Sequence, residues 1–366
     1  MPLARRERLA PAGPPARRER LAPARRERLA RGADGQTFFG LMCQATAMAE
    51  HRPSKRRRFV NLDGSVPQPF SSVFKWAVVD RVLGRRRSGS VASPAPRVAL
   101  APTLVARPPS VGEPARLTWI GHASWLVQLD DVSLLIDPIF SESIGPGLTR
   151  FVPPALAVGE LPRIDAQLVS HNHRDHLDLP SLRAVGSPVV AGLGLAAFFA
   201  KSKLPCTELE WWGETRVGNV TIRFVPSQHW SRRGLNDENA TLWGGFVIEG
   251  STARLYHSGD TAYFDGFSEI GRRSGAIDAA MLPIGAYDPA WFMSRQHMNP
   301  EEAVRAFTEL GARNFVAMHF GTFKLTDEPL DEPQARLASE WQRRALAPAA
   351  CHVLPIGGSL NIDRAT

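Results

Sequence analysis

His171-Asn172-His173-Arg174-Asp175-His176 stands directly after the apolar stretch Ala166-Gln-Leu-Val-Ser170. Four groups able to ligate a metal fall within six residues. A strand that opens into a loop can send alternate side chains toward one point. His171 and His173 can therefore share one cation, while Asp175 and His176, further along the turn, can reach a second. Neutral imidazole and carboxylate are good ligands for zinc and similar ions. An ordinary solvated loop accounts poorly for three histidines together with Asp175 and Asp178 in eight residues.

A metal site needs ligands from elsewhere in the chain, and candidates stand at other strand ends. His229 follows Phe224-Val-Pro-Ser-Gln, Asp260 lies in Leu255-Tyr-His-Ser-Gly-Asp-Thr261, and His319 follows Phe315-Val-Ala-Met. Taken singly each is weak, since a lone histidine is more often a structural residue. Their shared placement after a strand, in one chain with the His171–His176 cluster, is what gives them weight. Leu117 to Leu129 reads as strand, turn and strand, and Val132 to Asp137 as a third strand. Val220–Val225, Trp243–Ile248, Ala279–Ile284 and Asn314–Phe320 read as further strands. Pro300 to Leu310 reads as a helix, with Pro in its first turn and Glu301 and Glu302 placed to suit its dipole. Many short strands with interspersed helices argue for two packed sheets with helices outside.

The order HxHxDH, then His229, then Gly259-Asp260-Thr261, then His319 resembles the metallo-β-lactamase superfamily. Within it the sequence is most similar to the branch of N-acyl-phosphatidylethanolamine-hydrolysing phospholipase D and its bacterial relatives. That likeness is carried by Thr118-Trp-Ile-Gly-His-Ala123, Leu135-Ile-Asp-Pro-Ile-Phe140, Pro226-Ser-Gln-His-Trp230, Ser258-Gly-Asp-Thr-Ala-Tyr-Phe264, Pro283-Ile-Gly-Ala-Tyr-Asp-Pro-Ala-Trp-Phe-Met293, Gln296-His-Met-Asn-Pro300 and Met318-His-Phe-Gly-Thr-Phe323.

The resemblance implies an α/β fold, the αββα metallo-β-lactamase sandwich of two packed mixed β-sheets with helices on the outer faces. It implies two divalent cations, zinc expected, with manganese or iron(II) as alternatives. His171, His173 and His229 would hold the first, Asp175, His176 and His319 the second, and Asp260 would bridge them. Asp137 would orient a ligand histidine from behind. His297 would bind phosphate or donate a proton, joining Asp175 and Asp260 as catalytic residues. A hydroxide bridging the metals would attack phosphorus in an N-acyl-phosphatidylethanolamine-like phospholipid or a small-molecule substrate. Tyr287, Trp291, Phe292 and Met293 form one apolar segment suited either to lining a groove for acyl chains or to ordinary packing. Against the family pattern, His257-Ser258 stands where a more apolar pair is expected, and Ala262 and Ala290 are small. A lactonase or cyclic-phosphate diesterase of the same fold is the enzymatic alternative. A metal-containing membrane-surface binding module is the non-enzymatic one.

The chain has 366 residues, 43% hydrophobic and 22% charged, which is the composition of a folded globular protein. Its net charge of +8 is unevenly spread: residues 1–34 carry +6, residues 35–100 carry +8, and residues 101–366 carry −6. A nuclease is disfavoured because a nucleic acid channel needs positive charge, so no nucleic acid partner is expected. The basic residues 52–58 and 85–87 suit peripheral contact with an anionic membrane. Ala-Arg-Arg-Glu-Arg-Leu-Ala recurs from Ala4, Ala16 and Ala24 at uneven spacing, which is low-complexity sequence rather than a solenoid. Residues 1–50 are thus expected to be a disordered Arg-rich tail, or translated upstream DNA with the functional start at Met42 or Met48. Residues 51–115 are expected to form an arm with an amphipathic helix, Ser71 to Leu83, whose Phe74, Ala77, Val78 and Val82 share one face. Residues 116–366 would be the hydrolase domain. Cys43, Cys206 and Cys351 are too few and too scattered for a disulfide framework. No signal peptide or membrane span is read, so a cytoplasmic protein is expected, with membrane association at most peripheral. The oligomeric state is not legible.

Overall fold

The computed structural model describes residues 58–86 and 93–364. The expectations for residues 1–50, and for residues 52–57 and Arg87 of the basic stretches, lie outside them.

The apolar runs named above become strands, and they assemble into two seven-stranded sheets. The first contains β1 (Ala115–Gly121), β2 (Ser124–Leu129), β3 (Val132–Ile136), β4 (Ala166–Val169), β5 (Val189–Gly192) and β6 (Cys206–Leu209), and β14 (Ser359–Ile362) closes its far edge. Its order is β14-β1-β2-β3-β4-β5-β6, antiparallel as far as β3 and parallel beyond. The second contains β7 (Glu214–Val217), β8 (Val220–Val225), β9 (Gly245–Glu249), β10 (Arg254–His257), β11 (Ala279–Pro283), β12 (Asn314–Met318) and β13 (Cys351–His352). Its order is β13-β12-β11-β10-β9-β8-β7, again part parallel and part antiparallel. The expected αββα sandwich of mixed sheets is the observed fold.

Strands β2, β3, β4, β5 and β11 are buried along their whole length. Such strands read as continuous apolar runs because both faces are covered. One large core joins Leu117, Trp119 and Leu135 of the first sheet to Phe224, Phe246 and Leu282 of the second. The helix Pro300–Leu310 adds Val304 and Phe307, and the helix Glu332–Arg343 adds Leu337 and Trp341. Asn299 caps the former, accepting from the Glu302 N–H at 2.9 Å while Glu302 returns the bond to the Asn299 N–H at 3.0 Å.

Glycine matters most at Gly259, just after β10. Its φ is +60°, and a Cβ there would lie 2.6 Å from the Gly244 carbonyl and 2.9 Å from Ser170 Cβ. Ser170 directly follows β4 of the first sheet, and its carbonyl accepts the Gly244 N–H at 3.1 Å. A missing side chain thus lets the strand ends of the two sheets touch.

The N-terminal arm departs from its expected packing. The chain is helical over Phe70–Phe74 and continues as a wider, π-type turn over Lys75–Asp80. Phe74, Val78 and Val82, the apolar face expected of an amphipathic helix, are 52%, 43% and 79% exposed. Val73 and Trp76 pack instead, against Ala286, Phe292 and Met293. Trp76 stacks on Phe292 at 5.5 Å and donates its indole N–H to Asp327 at 2.9 Å. A large ring that finds both an apolar neighbour and an acceptor outweighs the smaller valines in choosing the inner face.

Candidate metal centre

The site gathers at one edge of the sandwich, where strands from both sheets end. His171 follows β4, His229 lies beyond β8, Asp260 beyond β10 and His319 directly after β12. His319 has a φ of +61° and Asp137, directly after β3, one of +41°, a backbone region that non-glycine residues enter at a cost. Strain of this kind is characteristic of functional positions.

Two groups of donors face each other across Asp260. In the first, His173 Nδ1 lies 2.9 Å from His171 Nε2 and 3.1 Å from His229 Nε2. In the second, Asp175 Oδ2 lies 3.5 Å from His319 Nε2 and 3.9 Å from His176 Nε2. Asp260 reaches both groups. Its oxygens are 3.1 Å from the Nε2 atoms of His176 and of His319, and 4.0 Å from those of His171 and His229. The ligand atoms of each group lie within 4.8 Å of one another. All seven side chains predicted as ligands are therefore brought together.

The donor chemistry fits divalent cations. His176 Nε2, His319 Nε2 and Asp260 Oδ1, all at the centre, are buried without a hydrogen-bond partner. Buried polar atoms rarely stay unpaired, because the desolvation is not recovered. Several imidazole nitrogens and carboxylate oxygens converging without partners is the arrangement that a cation satisfies.

Outer hydrogen bonds set the orientation of the rings. Asp137 Oδ2 sits 2.7 Å from His176 Nδ1, so the ring gives its Nδ1–H to the carboxylate and turns Nε2 toward Asp260. Asp137 is itself held by the Ser170 N–H at 2.8 Å and the Ser170 hydroxyl at 2.6 Å. His229 Nδ1 donates to the Gln296 carbonyl at 2.8 Å. Asp178 turns away from the centre and accepts from the Ser141 hydroxyl at 2.6 Å and from Ser181.

Burial and charge act in opposite directions here. Burial penalises charge on His319, yet Asp260 and Asp175 raise its pKa to about 9. The same carboxylates with Asp137 lift His176 well above the usual histidine range, against its burial. Burial favours the neutral acid at Asp260, but His176, His319 and His297 hold it well below the usual carboxylate range. His171 and His229 are driven well down by burial and by neighbouring imidazoles.

His297 joins the site, its Nδ1 3.8 Å from Asp260 Oδ2 and its ring 5.1 Å from that of His229. The predicted substrate segment divides. Phe292 and Met293 are buried beneath Val73 and Trp76. Tyr287 is buried too, donating to Glu332 at 3.0 Å beneath the Arg336 guanidinium. Trp291 is 45% exposed, with the Lys75 ammonium 4.2 Å from its ring centre. One short turn separates this segment from Gln296 and His297, since Met293 O accepts both their N–H groups at 2.9 Å.

Two further histidines lie at the centre that sequence reasoning assigned no role. His257 is fully buried, accepting the Gly259 N–H at 3.1 Å and donating to Ala123 O at 3.2 Å, so it braces turns from both sheets. That explains a polar residue where an apolar one is expected. His122, after β1, falls in one four-residue group with Asp175, His176 and His319. Its strand-end placement in Thr118-Trp-Ile-Gly-His122 is the same signal that marked His229 and His319.

Comparison with known proteins agrees with the fold. Residues 133–320 match the family described as beta-lactamase superfamily domain. An uncharacterised protein of Mycobacterium tuberculosis is 36% identical over 308 residues, covering 80% of this chain and 80% of its own. N-acyl-phosphatidylethanolamine-hydrolyzing phospholipase D 1 of Caenorhabditis elegans is 38% identical over 242 residues, 60% of this chain and 68% of the relative. A metal-dependent hydrolase of Pyrobaculum calidifontis is 30% identical over 253 residues, 68% of this chain and all of the relative. Among the described residues no helix is long and apolar enough to cross a membrane.

Proposed function

The chain belongs to the metallo-β-lactamase superfamily and is a metal-dependent hydrolase, and from that premise we propose a two-metal phosphodiesterase of phospholipase D type, acting on N-acyl-phosphatidylethanolamine-like phospholipids. The observation that carries the reading is the paired donor set: three imidazoles on one side of Asp260, and Asp175, His176 and His319 on the other. The 38% identity to the nematode enzyme of that name supports the choice of substrate class.

In this reading His171, His173 and His229 hold one cation, Asp175, His176 and His319 the other, and Asp260 both. Zinc is the expected metal, with manganese or iron(II) compatible with the same ligands. Such cations supply water acidified toward neutrality as the nucleophile and neutralise charge on the non-bridging phosphoryl oxygens. Asp137 keeps His176 in the ligating tautomer. His297, whose pKa burial lowers to about 4, stays neutral and donates a hydrogen bond to phosphate or to the leaving oxygen.

The surface beside this segment suits a lipid. Phe74, Val78, Val82 and Leu83 are exposed on the Phe70–Asp80 helical segment and the turn after it, with Lys75, Arg81 and Arg85 among them and Trp291 alongside. An apolar face bordered by cations favours an anionic bilayer surface. The deciding measurement is metal content together with turnover of N-acyl-phosphatidylethanolamine in vesicles, with phosphatidic acid and N-acylethanolamine as expected products. Turnover of a lactone or a cyclic phosphodiester with none of the phospholipid would overturn the substrate assignment.

A further inference from the structure

His122 is placed by its backbone with unusual care. It follows β1 with a φ of +54°. Its carbonyl accepts from the Trp119 indole at 2.8 Å and from the His319 N–H at 3.1 Å, while its own N–H donates to the Thr322 hydroxyl at 2.9 Å. The turn after β1 in one sheet and the turn after β12 in the other are therefore locked around two imidazoles, whose ring centres are 4.0 Å apart. Phe323 closes the other side, edge-on at 5.1 Å.

The ring's hydrogen-bonding partner is a carboxylate. His122 Nε2 is 3.4 Å from Asp175 Oδ2, nearer than the imidazoles of His319 and His176. Nδ1 is buried and has no hydrogen-bond partner. A neutral imidazole carries one N–H. On Nδ1 that hydrogen would be a buried donor without an acceptor, and a bare Nε2 would face the carboxylate lone pairs. On Nε2 it points at Asp175, and only the weaker acceptor is left unpaired.

We infer that His122 is a positioning residue of the second metal site, its Nε2–H fixing the Asp175 carboxylate in the orientation in which it ligates. The inference rests on the two-metal reading above. Carboxylates that ligate metals are themselves commonly held by such outer donors, and removing the donor weakens the metal. Asp175 is the less enclosed of the two metal-site carboxylates, its side chain 15% exposed against 1% for Asp260, so packing alone holds it less firmly.

The test titrates chelated protein with zinc and records the absorption of the cobalt-substituted form. Wild type is expected to take up two cations. His122→Leu is expected to keep the first and to bind the second about 10–100-fold more weakly. His122→Gln, whose side-chain amide places an N–H near Nε2, is expected to restore the affinity and the cobalt spectrum. His122→Asn, too short to reach Asp175, is expected to behave like the Leu variant, and this polar pair decides the matter if the Leu variant does not fold. Equal affinity for two cations in wild type and the Asn or Leu variant overturns the inference and leaves the two-metal reading intact. Loss of the second cation in Gln as well as Asn also overturns it, since a donor would then not suffice. A wild type that takes up only one cation overturns both.

Discussion

Asp137 and His176 meet at 2.7 Å, carboxylate to Nδ1, with both side chains fully buried. This contact links the end of β3 to the last ligand of the His171–His176 loop. Asp137→Asn could present a donor where His176 already has its N–H, favouring the wrong tautomer at Nε2. Cation affinity is expected to fall by about 10–100-fold, with turnover falling alongside. Zinc titration of the purified variant checks it, and unchanged affinity would contradict the assignment.

His173 contributes to the first donor group, close to both His171 and His229. His173→Ala should lose the first cation and all measurable diesterase activity. Metal analysis and turnover of bis-(p-nitrophenyl) phosphate, before and after chelation, test this. Full activity in the variant would exclude the proposed site.

The metal-free protein should show an unusual pH dependence. Burial disfavours a charged His319, but Asp260 and Asp175 lift its pKa from the ordinary 6.5 to about 9. A pKa raised by folding stabilises the fold fully below 6.5, and that contribution fades as pH rises to about 9. Cations need the deprotonated ring, so their affinity climbs over the same interval. The thermal midpoint of chelated protein should decline across it while zinc affinity increases. A midpoint that rises there would refute the account.

The two faces of the N-terminal helix should separate experimentally. Trp76→Ala removes a partly buried ring stacked on Phe292 and bonded to Asp327, and should cost about 1–2 kcal/mol of stability, less than a fully buried tryptophan. Val78→Asp and Val82→Asp lie on the exposed face and should leave the melting temperature within about 1 °C, since surface changes cost little. The same two changes should abolish sedimentation with anionic vesicles at low salt. Retained vesicle binding would remove this face from the proposed membrane contact.

Gly259→Ala would drive a methyl group against the Gly244 carbonyl and Ser170 at a positive φ. A destabilisation of about 1–3 kcal/mol is expected by denaturant unfolding, as for other overpacked sites. Cation affinity should fall too, because Ser170 holds Asp137 and Asp260 is the next residue.

What the sequence alone determined was local. Apolar runs of strand length declared β1 to β4, β8, β9, β11 and β12. The crowding of ligand types at His171–His176 declared metal chemistry, since such residues are rarely grouped after a strand without a cation to share. His229, Asp260 and His319 were marked only by standing at strand ends, a signal weak for any one of them, and their assignment to one cation or the other came through the resemblance. Tertiary structure decided what depends on partners distant in the chain. It chose Trp76 rather than Phe74 as the packed face of the arm, because Phe292 and Asp327 lie more than 200 residues away. It buried Phe292 and Met293, left Trp291 exposed, and set His122 against Asp175. Spacing along a chain reports which way a side chain can point; only the folded neighbours determine what it meets there.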